Sequence, residues 1–243
     1  MEQIYTIPVN EAFDRSLEKP ECGCPFCTLY RKLQSDELGL ILGASMMEPD
    51  IRIMTNDLGF CADHYGAMMK RKRMLGIGLI LESHLAETEK KLDRKSPPVI
   101  GPAGADTSEL LRLETTCYVC SRIAKNLGSM IATAVYLWES DAAFREKFAK
   151  QPWFCLPHYR MMTDYAQKKM NKRTFREFLA VAHGIEKTYI ATLSGDVSWF
   201  CKKFDYRYDE EPWYNAKDAL PRAIRFLVGD RQDDEKNSKG ETL

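Results

Sequence analysis

Four short cysteine motifs carry the chemistry of this chain. Cys24-Pro-Phe-Cys27 is followed after 33 residues by Cys61-Ala-Asp-His64, and Cys117-Tyr-Val-Cys120 is followed after 34 residues by Cys155-Leu-Pro-His158. Each copy offers three thiols and one imidazole, the donor set of a closed structural zinc site. Thiolate and imidazole donors put zinc first, with an iron–sulfur cluster as the second choice. A c-type haem would need histidine where the chain has Thr28 and Ser121, and a thioredoxin-like dithiol would need a βαβ setting that neither C-x-x-C has. A single C-x-x-C could be a pair of buried core cysteines. Two sets at nearly equal spacing argue instead for two zinc ions, one held by Cys24, Cys27, Cys61 and His64, the other by Cys117, Cys120, Cys155 and His158.

Two cysteines fall outside these sets. Cys22 lies in Cys22-Gly23-Cys24 and could replace Cys24, but only Cys24 has a counterpart, Cys117, in the other copy. Cys22 is therefore expected to be the spare, reactive thiol, with the six ligand cysteines protected. Cys201 reads as a thiol buried on a helix. His84-Leu-Ala-Glu87 and His183-Gly-Ile-Glu186 each place an imidazole and a carboxylate on one helix face, as di-metal sites do. Partnering carboxylates on neighbouring helices are not evident, so the expectation is a histidine tied to a local carboxylate. Lys70-Arg71-Lys72-Arg73 and the Lys168-to-Arg173 stretch could touch phosphates, but they read first as solvated helix faces. There is no phosphate-binding glycine loop, nucleophile elbow or H-E-x-x-H motif.

The elements that must position these ligands read as helices. Ile123, Leu127, Ile131, Val135 and Trp138 form one stripe at three- and four-residue steps after Cys120. Leu29, Leu33, Leu40 and Met47 form another after Cys27, beside a row of Leu38, Ile41 and Leu42. Phe175, Phe178, Leu179, Ala182, Ile185 and Tyr189 continue the pattern after His158. Met74 to Leu81 is apolar nearly all round, which predicts a helix buried on several sides. Period-2 runs are scarce, so no sheet is expected. C-x-x-C and C-x-x-H turns at helix N-termini would let free N–H groups offset the negative charge of three thiolates around one zinc ion. Asn10 reads as the cap of a short helix beginning at Glu11.

The text around the motifs is duplicated as well: Leu58-Gly59-Phe60-Cys61 parallels Pro152-Trp153-Phe154-Cys155. The expected fold is all-α: two tandem helical pseudo-repeats, each stapled by a Cys3His zinc site, plus an aromatic C-terminal segment. The expected boundaries are 1–95 for the N-terminal helix and first repeat, and 96–107 for a Pro/Gly linker. The second repeat takes 108–204, the aromatic segment with a short helix 205–229, Pro221 lying in that helix's first turn, and a disordered tail 230–243. The repeats should pack as one domain, because a helical hairpin buries its stripe only against another layer.

Lys+Arg 35 balance Asp+Glu 35, so no global positive field draws the chain to nucleic acid or anionic membrane. The N-terminus lacks the basic and apolar regions of a secretory signal, and no apolar run is long enough to span a bilayer. The expected compartment is the cytoplasm, where thiols stay reduced and C-x-x-C pairs read as metal ligands rather than disulfides.

Ile7 to Phe13 (IPVNEAF), the LGASMMEPD block, the duplicated C-x-x-C…F-C-x-x-H and the closing WFCKKFDYR…PW…KDALPRAI together resemble an uncharacterised bacterial family, a domain of unknown function known mainly from Firmicutes. The resemblance runs from Ile4 to Gly229. It implies a cytoplasmic bacterial protein and brings no activity with it. A closed four-ligand site leaves no open position for substrate. The leading expectation is therefore a zinc-stabilised binding or scaffold protein with a protein partner. A thiolate enzyme or redox/metal sensor is the alternative, and nucleic-acid binding the third reading.

Overall fold

The computed structural model describes residues 3–92 and 107–230. The expected linker (96–107) and tail (230–243) lie outside the described residues, except for Thr107 and Asp230. Eleven α-helices and no strand occur among the described residues. They are α1 (Thr6–Glu18), α2 (Pro25–Ile41), α3 (Pro49–Leu58), α4 (Ala62–Lys70), α5 (Met74–Leu92), α6 (Ser108–Thr115), α7 (Tyr118–Ser140), α8 (Ala142–Ala149), α9 (Leu156–Lys169), α10 (Lys172–Lys202) and α11 (Ala219–Val228). The all-α expectation holds.

The chain forms two compact units, and these are not the two sequence repeats. One unit takes the described residues up to Arg31 and from Leu127 onward; the other takes those from Lys32 to Asn126. The division falls inside α2 and α7, so each unit contains part of both copies.

The first unit is organised around Phe13 of α1, which is fully buried. Its ring meets Phe144 at 4.9 Å, Phe26 at 5.5 Å and Phe148 at 6.0 Å between centroids. Trp138 of α7 packs edge-on against Phe178 of α10 at 5.2 Å, and offset or edge-on rings such as these are the favoured aromatic arrangements. The α7 stripe is buried throughout, as its spacing predicts. Asp141 caps α8, accepting from the Ala143 and Phe144 N–H groups. Asn171 caps α10, accepting from Arg173 and Thr174.

The expected cap at Asn10 is corrected. Helix α1 begins earlier, because Pro8 falls in its first turn, where a missing N–H costs nothing. Asn10 is an interior residue of α1: its Nδ2 donates to Thr6 O and its Oδ1 accepts from Lys147. After α10 the aromatic segment turns back on Lys203. This buried ammonium donates to the carbonyls of Tyr208, Asp209 and Glu211 at 2.6–2.7 Å. Pro221 lies in the first turn of α11, as expected.

In the second unit α5 packs on α3, α4 and α6. Two burial expectations fail here. Leu40 and Met47 are exposed, and the buried side of the C-terminal part of α2 is the row of Leu38, Ile41 and Leu42. On α5 only Gly76, Ile77 and Ile80 are buried, while Met74, Leu75 and Leu85 face solvent. Leucine and methionine are good helix formers wherever they stand, so their presence alone does not mark the core face. No helix among the described residues is long and apolar enough to cross a membrane.

Candidate metal centres

Each C-x-x-C or C-x-x-H motif straddles the start of a helix. Cys61 and Cys155 are the N-cap residues of α4 and α9, with His64 and His158 three positions on. Cys24 and Cys117 directly precede α2 and α7, with Cys27 and Cys120 in their first turns. The Cys24 carbonyl accepts from Thr28 N–H and that of Cys117 from Ser121 N–H, as N-cap carbonyls do. This placement turns a pair of donors outward past the unpaired N–H groups at the positive end of the helix.

Apolar residues just before the second C-x-x-C cysteine or just before the C-x-x-H cysteine anchor the turns. Phe26 and Phe154 are fully buried, 6.0 Å apart between centroids. Val119 and Phe60 stand at the corresponding positions of the other two motifs and are also buried. Tyr118 N–H donates to Gly59 O at 2.9 Å and Thr116 Oγ1 to Leu58 O at 2.7 Å, which locks the second C-x-x-C to the first C-x-x-H. Gly23, just before Cys24, has φ 77 and ψ −147, a region that essentially only glycine occupies. A Cβ there would also lie 3.0 Å from the Trp153 ring.

The pairing corrects the expectation drawn from the repeats. The four motifs do make two Cys3His clusters, but each cluster takes its C-x-x-C from one copy and its C-x-x-H from the other. Cys24, Cys27, Cys155 and His158 meet in the first unit, and Cys61, His64, Cys117 and Cys120 meet in the second. Cys24, not Cys22, joins the cluster.

In the first cluster His158 Nδ1 lies 3.0, 3.5 and 3.7 Å from the sulfurs of Cys155, Cys27 and Cys24, and Cys27 Sγ is 3.5 Å from Cys155 Sγ. In the second, His64 Nδ1 lies 3.1, 3.3 and 3.4 Å from Cys61, Cys117 and Cys120, and Cys61 Sγ is 3.9 Å from Cys120 Sγ. A tetrahedral zinc ion with ordinary bond lengths would space its sulfurs about 3.8 Å apart and hold nitrogen about 3.6 Å from sulfur. The donor types and separations of both clusters fit one such ion each.

On their own, sulfurs this close oppose one another's ionisation. Contacts from Cys155 and Cys24 hold the Cys27 thiol far below its ordinary value, while burial holds Cys24 well above it. Cys155 is pulled down by Cys24 but driven further up by Cys27 and burial, to about 12. In the second cluster Cys120 holds Cys117 down to about 3, Cys117 in turn pushes Cys120 up, and burial raises Cys61. A divalent cation at the centre reverses the repulsion and lets all three sulfurs ionise.

The clusters differ in cover. All four ligands of the first are buried. Asp230 N–H donates to Cys27 Sγ at 3.3 Å, and Asp230 pairs with Arg31 at 2.8 Å. Gly229, at φ 81 and ψ 166, lets the chain pass over the sulfurs of Cys155 and Cys27. In the second cluster His64 and Cys117 are buried, Cys61 is half-buried and Cys120 is exposed. Cys22 is half-buried. Cys201 is exposed near the end of α10, correcting its expected burial.

The H-x-x-E pairs do not act as pairs. His183 is exposed, with Nδ1 3.5 Å from Tyr159 Oη, while Glu186 is buried and accepts from Phe154 N–H at 2.8 Å. Burial pushes the Glu186 carboxyl up to about 7, against the pull of that N–H. Glu186 thus fixes the strap leading into Cys155, a role its position in the sequence does not announce. Glu87 pairs with Lys90, and burial lowers His84. In the basic stretches Arg71 donates to Ser35 and Arg173 pairs with Glu177.

Fold and clusters together define an all-helical protein with two Cys3His sites that could each hold a metal ion. A model described as a family of unknown function (DUF6062) matches residues 1–234, and the chain belongs to that family. No curated protein and no solved structure matches the chain.

Proposed function

We propose that the chain binds two zinc ions, held by Cys24, Cys27, Cys155 and His158 and by Cys61, His64, Cys117 and Cys120. The ions staple a helical binding or scaffold protein of the cytoplasm. One observation carries this reading: four helix-start donor pairs converge into two sets of near-tetrahedral spacing, with all donor atoms of a set within 4.8 Å of one another. That spacing favours a single ion over an iron–sulfur cluster, which binds its protein ligands on different metal atoms and so spreads them. Full burial of the first ligand set favours a structural ion there, with no position for substrate. The binding role draws support from α11, where Leu220, Ile224, Leu227 and Val228 make an exposed apolar row that a protein partner would cover.

Element-resolved metal analysis of the full chain, purified anaerobically without chelator, tests the reading. Two zinc ions per chain are expected, with loss of helical circular dichroism on chelation, because metal affinity and folding are coupled. One ion, none, or iron with inorganic sulfide would overturn it.

A further inference from the structure

The two clusters share ligand types, helix positions and motif spacing, yet only one is open to small molecules. In the first cluster no ligand is exposed, and the Gly229–Asp230 strap passes over its sulfurs. In the second, the two ligands nearest solvent are Cys120 and Cys61, and their sulfurs lie 3.9 Å apart. Neither comes from the same motif as the other, so a bond between them would join the start of α7 to the start of α4.

We propose that the second cluster is a peroxide-reactive metal site, in which oxidation links Cys120 to Cys61 and releases the ion while the first cluster keeps its own. This rests on the reading of both clusters as metal sites. In the first step the Cys120 thiolate attacks one oxygen of hydrogen peroxide. The O–O bond breaks, hydroxide leaves and takes up a proton, and Cys120 becomes a sulfenic acid. In the second step the Cys61 thiolate attacks that sulfur, the S–O bond breaks, and a second hydroxide leaves as water. Two sulfurs each lose one electron, the peroxide gains two, and two protons are consumed. The sulfurs must close from 3.9 Å to about 2.05 Å. His64 and Cys117 remain as two of four ligands, too few for a tetrahedral site. The Tyr118–Gly59 and Thr116–Leu58 hydrogen bonds still join the two loops after the ion has gone.

The experiment treats the zinc-loaded full chain with increasing hydrogen peroxide. A chromogenic indicator follows released zinc, and peptide mapping locates the oxidised cysteines. The expected result is release of half the bound zinc, together with a Cys61–Cys120 disulfide and reduced Cys24, Cys27 and Cys155. A Cys22→Ser, Cys201→Ser double variant removes the other accessible thiols and should release the same half at the same rate. A chain that carries no zinc at the outset defeats the metal reading itself. A chain that carries two ions and loses both together, loses the first cluster's ion first, or forms a disulfide lacking Cys61 or Cys120 overturns this inference alone.

Discussion

Replacing Glu186 with glutamine should flatten the pH dependence of stability between pH 6 and pH 8. The carboxyl is buried, and its Oε2 has no hydrogen-bond partner among the described residues. Burial raises it from 4.5 to about 7. A raised carboxyl favours the folded state when protonated, so its contribution is fully present below pH 4.5 and is lost as pH rises through 7. The whole shift corresponds to about 3 kcal/mol, of which about 1 kcal/mol falls between pH 6 and pH 8. The substituted glutamine can still accept from Phe154 N–H through its amide oxygen but does not titrate. The assay is urea unfolding of the zinc-loaded wild type and Glu186→Gln at several pH values. Any zinc release with pH should be common to both proteins, so the difference between them isolates Glu186. The variant should gain about 1 kcal/mol on the wild type from pH 6 to pH 8. Parallel profiles would refute the assignment of a buried, proton-linked carboxyl, whatever constant offset the amide introduces.

Three further outcomes follow from the clusters and the glycines near them. A protease site inserted between residues 96 and 105 and then cut should leave two fragments that co-elute with zinc bound and separate when it is chelated, since each cluster draws on both copies; fragments that part while each retains zinc would restore pairing within the repeats. Gly23→Ala should cost about 1–3 kcal/mol through its positive φ and the Trp153 ring, a fall of several degrees in thermal midpoint, whereas Gly66→Ala in α4, with open space around it, should be neutral or slightly stabilising.

The helices, their buried stripe in α7 and all eight ligand candidates were legible because each is a local pattern. The pairing of the motifs was not. Two equivalent C-x-x-C turns and two equivalent C-x-x-H turns can combine within or across copies, and loop length barely discriminates. Closing the 128 residues between Cys27 and Cys155 rather than the roughly 37 between Cys24 and Cys61 costs only about 1 kcal/mol, against about 10 kcal/mol or more for a zinc site. The pairing across copies goes with tertiary packing between distant motifs, such as Phe26 against Phe154. Exposure was illegible for the same reason. Cys120 and Cys27 occupy identical motif positions, and what separates them is a strap from residues 229–230, some two hundred positions away from Cys27. Leu40 and Met74 fit a helix but not the core, since periodicity reports a face and not what covers it.

Along the chain the cluster partners read as nested brackets. His64 and Cys117 are 53 residues apart and lie wholly between Cys27 and Cys155, which are 128 apart. The donors of the inner bracket have all left the ribosome once Cys120 has, before Cys155 and His158 emerge. Closing it removes the enclosed stretch from the outer loop, leaving roughly 75 residues of free chain, so the second closure costs about 0.3 kcal/mol more than the first instead of about 0.8. The topology thus lets the inner cluster close first, the outer one second and the Asp230 strap last. A product ending before His158 can finish only the inner bracket, and one ending at Val228 finishes both but leaves the outer sulfurs bare.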